Sequence, residues 1–189
     1  MNANKPTSIS GRGKWATALS AIALSLLAWT ASAKDEVPTT GTTSGYPVAG
    51  TTNPDGSQVL ISREVGVSTH AGRYTGLSEV KVDAPATGVF DPKTRSVAIH
   101  LTGSGRDTAA NGDTLDWTSE GVVIVPLDAS FMPLPPPYAF HSTWEVVGGT
   151  GRFAGMTGHG TGEGFSYADG TTSRIDTGIV STVGSNTKK

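Results

Sequence analysis

Val146–Phe165 reads VVGGTGRFAGMTGHGTGEGF, eight glycines in twenty positions. Glycine adopts positive φ without a Cβ clash, yet it loses more conformational entropy on folding than any other residue. Such density therefore marks backbone that turns sharply or approaches something closely. Within it, Gly149-Thr150-Gly151-Arg152-Phe153-Ala154 matches the dinucleotide fingerprint G-x-G-x-x-(G/A). That fingerprint needs a helix opening at the turn inside a parallel βαβ unit. Here Gly155, Gly158, Gly160, Gly162 and Gly164 follow, and no helix survives glycine at that spacing. No cofactor is expected. After the turn, Gly158, Gly160, Gly162 and Gly164 recur with period two, so on a strand they form one face without side chains. A bare face lets a bulky neighbour pack on backbone or leaves room for a ligand, and close packing is the favoured reading because interiors seldom leave space unfilled. The stretch thus reads as a strand, a structural glycine turn (Gly148, Gly149, Gly151, Gly155, Gly158) and a second strand.

Outward from there the pattern stays β. Val59–Val67, Tyr74–Val82, Val97–Leu101, Val122–Val125 and Ala139–Val147 are rich in β-branched and aromatic residues and are separated by Gly, Asp, Asn and Pro. Asn111-Gly112-Asp113 and Asp169-Gly170 suit tight hairpins, and Asp91-Pro92-Lys93 breaks another pair. Roughly eight strands at hairpin spacing predict an all-β fold, an antiparallel up-and-down β-barrel. Met132–Tyr138 carries four prolines, which cannot donate to a ladder, and reads as a stiff loop at the barrel mouth.

The N-terminus carries a different signal. Lys5, Arg12 and Lys14 precede an apolar run from Ala16 to Trp29, and Ala31-Ser32-Ala33 supplies a small-x-small cleavage pattern. Residues 1–33 are therefore expected to be a signal peptide, with the protein exported, periplasmic or secreted, and without a membrane span after cleavage. Residues 34–57 are Thr-, Gly- and Pro-rich with few large apolar side chains, a composition expected of a flexible leader. The barrel domain is placed at 58–185 and a short polar tail at 186–189. Cysteine is absent, so packing and hydrogen bonds must stabilise the fold, without disulfides or thiolate zinc sites. Without the three basic residues of the signal, 11 Lys and Arg face 16 Asp and Glu, which argues against nucleic-acid binding.

No motif announces catalysis. His70, His100, His141 and His159 form no H-x-H or H-E-x-x-H pair, so no metal is indicated, and no G-x-S-x-G elbow is present. Asp107, Asp113, Asp116, Glu145 and Glu163 are read as solvated surface carboxylates. Arg73 and Arg152 each sit between a glycine and an aromatic; such an arginine grips a ligand carboxylate or, the favoured reading, holds a turn by an ion pair with Asp107 or Asp113. If barrel-lining side chains carry a function, the candidates for ligand binding are Arg73, Tyr74, His100, Trp117, Trp144 and Glu145.

Val146–Phe153 with Gly155 and Gly158 resembles the glycine turn of the allene oxide cyclase and dirigent proteins. Thr69–Gly76 and Thr108–Leu115 are similar to recurrent segments of uncharacterised exported bacterial proteins with the same barrel. The resemblance reaches from about His70 to Val183. It implies an eight-stranded antiparallel barrel holding an apolar ligand, used by cyclases or by stereochemical guides of radical coupling, and often a trimer. It carries no catalytic residue onto this chain. The expectation is a small exported barrel that binds an apolar or aromatic molecule in its lumen. The alternatives are a cofactor-free cyclase or isomerase and a structural or assembly protein with a filled barrel.

Overall fold

A computed structural model describes residues 35–181. The expected signal peptide and polar tail lie outside the described residues. Nine strands follow in order: β1 (Glu36–Thr52), β2 (Gln58–Ser68), β3 (Gly72–Val82), β4 (Val89–Asp91), β5 (Ser96–Ala109), β6 (Thr114–Pro126), β7 (Tyr138–Gly149), β8 (Gly158–Ser166) and β9 (Thr172–Ser181). Eight of them close a ring. Chain neighbours pair antiparallel from β5 to β9 and from β1 to β3, β9 returns to β1, and β3 pairs with β5. The short β4 pairs with Ser96–Ala98 at the start of β5. This is the closed eight-stranded antiparallel barrel anticipated from the strand spacing. No helix among the described residues is long and apolar enough to cross a membrane.

The segment expected to be a flexible leader is instead strand β1, so the barrel begins at Glu36 and not at residue 58. It pairs along Gly41–Thr52 with β2 and along Glu36–Gly45 with β9. Composition misled because β1 contributes small residues to the lumen. Thr39 and Thr43 are buried, and Gly41 and Gly45 lie in phase with them. Threonine suits a strand as a β-branched residue, and bulk arrives from the neighbouring strands.

The glycine stretch plugs one end. Gly151 has φ +56° and Gly155 has φ +71°, left-handed values that favour glycine, and between them a short 3₁₀ turn (Gly151–Phe153) aims Phe153 inward. Phe153 and Met156 pack with Ala71, Tyr74, Ala109 and Val180 in the main apolar cluster. Arg152 holds this turn. Its backbone N–H donates to Asp113 Oδ2 at 3.2 Å, its guanidinium donates to the Ala71 carbonyl at 2.8 Å, and it lies 4.7 Å over the Phe153 ring. The turn-holding partnership with Asp113 is the favoured sequence reading of Arg152.

On β8 the glycine face points inward and is covered. A Cβ on Gly160 would strike the Trp144 ring and the Thr177 carbonyl; one on Gly162 would meet Asp176 and the Arg174 stem; one on Gly164 would meet Phe140. Close packing, rather than ligand space, accounts for the period-two glycines.

Two predictions follow from this architecture. Gly160→Val should cost about 1–3 kcal/mol through overpacking, read as a lower urea midpoint at unchanged slope; an unchanged midpoint would mean the glycine face is not packed. A chain starting at Ser57 leaves β2 and β9 without their shared partner and should give no cooperative unfolding transition; a native-like transition would return residues 34–57 to the status of a leader.

Candidate functional site

Strand alternation sends every second side chain into the lumen. The plugged end holds a small void of about 80 Å³, whereas the other end holds a cavity of about 590 Å³. The larger cavity reaches the four connections at its end, including Gly56, Pro85, Pro133, Pro136 and Gly170. The proline-rich segment thus sits at the barrel mouth. Leu60, Val80, Ile99, Leu101, Val123 and Phe140 make its walls largely apolar. Trp117, Ser119, Ser142 and Arg174 border both voids and form the floor between them.

The floor is a buried charged network. From β9, the Arg174 Nε donates to Asp176 Oδ2 at 2.9 Å, its Nη2 lies 3.7 Å from Glu64 Oε2, and its guanidinium sits 5.3 Å from the centre of the Trp117 ring. Glu64 on β2 accepts a hydrogen bond from Ser78 on β3 at 2.8 Å. Tyr74 and Thr43 share a hydroxyl–hydroxyl bond of 2.5 Å, and Thr43 donates to Asp176 Oδ2 at 3.3 Å. Register explains the convergence. Glu64 pairs with Gly76 and Gly76 with Asp107, so the two carboxylates flank a position without a side chain, and a Cβ on Gly76 would strike Asp107 Oδ1.

Three carboxylates thus surround one guanidinium that is largely withdrawn from water. Glu64, Asp107 and Asp176 each keep one oxygen without a hydrogen bond, as does the Trp117 indole N–H. Burial pushes the Asp107 carboxyl up to about 7; the Glu64 charge adds to the rise, and Arg174 and the nearby Trp117 N–H oppose it. Burial likewise pushes the Tyr74 phenol up to about 12, against the opposing bond from Thr43. For Arg174, burial alone would lower the value, but Asp176 and Glu64 more than offset it and hold the guanidinium charged.

Of the six sequence candidates, Tyr74 and Trp117 reach the network and Trp144 packs on the plugged side over Gly160 and Gly178. Arg73, His100 and Glu145 do not line the lumen: Arg73 and Glu145 are exposed, and His100 stands on the outer wall. The reason is the pleat, since neighbours such as Arg73–Tyr74 and Trp144–Glu145 cannot both face inward. Between Asp83 and Glu120, 3.1 Å from each, His100 has its pKa raised, chiefly by the Glu120 hydrogen bond and then by that of Asp83. Asp107, read as a surface carboxylate, is buried at 8% exposure. Glu64, Arg174 and Asp176 were missed altogether. Parity could have found them: Asp107 is in phase with Ile99 and Leu101, Glu64 with Leu60, and Arg174 with Asp176 and Gly178.

No protein-family model matches this chain, no curated protein is similar to it, and no solved structure matches it.

Because the folded pKa of Asp107 lies above its ordinary value, the folded protein keeps a proton that the unfolded chain has released between about pH 4 and pH 7. Stability from this group therefore falls as pH rises through that window. Relative to wild type, Asp107→Asn should be more stable at pH 8 than at pH 4.5, by up to about 3 kcal/mol in urea unfolding. An equal offset at both pH values would contradict a raised carboxyl.

Proposed function

We propose that the barrel binds a mainly apolar small molecule in the half of the lumen opposite the glycine plug. The observation that carries this reading is the cavity of about 590 Å³, walled by apolar side chains and floored by a few convergent polar groups. That size and lining are typical of small-molecule sites, which span roughly 300–1,000 Å³. A hollow half argues against a barrel filled throughout, the structural alternative. The resemblance to allene oxide cyclase and dirigent proteins points the same way. On this reading the protein is exported, as the N-terminal pattern suggests, and needs no cofactor.

A second reading, a cofactor-free isomerase or cyclase, gains support from the charged floor. An apolar cavity ending on Glu64, with Asp107 poised near neutral behind it, has the makings of acid–base chemistry on a held intermediate. Chemistry would add turnover to binding, and only the binding step is common to both readings.

Trp117 lies at the floor and reports occupancy. Titration with neutral alkyl alcohols and phenols should change its fluorescence saturably. Val123→Phe, which projects into the cavity, should weaken the response at least tenfold while the melting temperature stays within a few degrees of wild type. No response from wild type, or an equal response from the variant, would remove the lumen as the site.

A further inference from the structure

The floor of the cavity discriminates by charge. Resting on the lumen reading above, we propose that the ligand is a lipophilic amine: an apolar body in the cavity with a protonated amino group at the Glu64 carboxylate.

Arg174 is the only guanidinium or ammonium group among the residues lining the cavity, and it is committed on three sides. Its Nε faces Asp176, its Nη2 faces Glu64 and its plane faces Trp117. Two carboxylates already stand against the guanidinium edge, and their charge opposes the approach of a third carboxylate from a ligand. The acids, in contrast, are in excess. Glu64 lines the cavity, and Asp107 and Asp176 lie directly behind the floor; Asp83, at the rim, is turned to His100. With Asp107 protonated the set still carries more negative than positive charge, and in a desolvated site that balance repels an anion and favours a cation.

Glu64 is the specific receptor. Its side chain is 7% exposed, Oε1 accepts from Ser78, and Oε2 has no hydrogen bond, with Arg174 Nη2 standing off at 3.7 Å. A buried carboxylate oxygen without a donor is costly, so a donor delivered there by a ligand is strongly favoured. An ammonium brings three N–H groups. Glu64 takes one, and the hydroxyl oxygens of Ser119 and Ser142, which border the same floor, are acceptors for the others.

Calorimetry on the wild-type protein at pH 7.5 and 0.15 M salt, with decylamine, decanol and decanoate below their micellar concentrations, separates the claims. We expect decylamine to bind at least tenfold more tightly than decanoate, with decanol between them. Glu64→Gln should erase at least tenfold of the decylamine affinity and leave decanol unchanged, its fold verified by an unchanged circular dichroism spectrum. Equal affinities for the three, or tighter decanoate, overturn the charge preference while leaving lumen binding intact. Binding of none of them overturns both. A decylamine preference that survives Glu64→Gln overturns Glu64 as the receptor.

Discussion

A guanidinium inside a β-barrel has lost most of its water, and the lumen is arranged around that loss. Taking an ion from water into a protein interior costs several kcal/mol even after relaxation, so the ion must be surrounded by opposite charge and polar contacts. Arg174 meets this with Asp176 two residues along its own strand, Glu64 from β2 on the far side of β1, and the face of Trp117. The glycines make the meeting sterically possible. The arginine stem passes where a Cβ on Gly162 would stand, and Asp107 folds over Gly76 towards Glu64. Charges and glycines on the inner wall are therefore parts of one arrangement.

That arrangement divides the lumen. Towards the glycine turn, Phe153, Met156 and their neighbours fill the space at the close packing expected of an interior. Towards the proline-rich connection the walls stand apart around a cavity large enough for a small molecule. Buried ion pairs are weak grounds for stability, because well-packed apolar groups of the same volume often serve as well or better. A charged network placed at the boundary of an open apolar space, with Glu64 Oε2 left without a hydrogen bond, is better understood as a surface that receives something.

Strand spacing, hairpin chemistry and period-two glycines made the barrel legible from residue 58 onward, because each is a local property of the chain. β1 was not legible: its inward Thr and Gly residues lack bulk, and its Glu36–Gly45 part is held by a ladder to β9, at the other end of the barrel's sequence. The site was half legible. Tyr74, Trp117 and Trp144 stand out as aromatics and do face inward, whereas Arg73, His100 and Glu145 were chosen without regard to the pleat that turns them outward. Glu64, Asp107, Arg174 and Asp176 resemble surface charges when read singly. Their burial arises from register, since Glu64, Gly76 and Asp107 meet only when β2, β3 and β5 align.

The charged cluster separates a packed half of the barrel from an open one, with Asp107 buried behind the floor. Carboxyl ¹³C NMR titration of Asp107 reads this division at its buried side. Asp107 should titrate near pH 7, well above Asp113 and Asp116, whose hydrogen bonds from Arg152 and Arg106 hold them below the ordinary carboxylate range. Titration of Asp107 alongside those two would mean that its carboxyl is hydrated and that the barrel is not divided at this level.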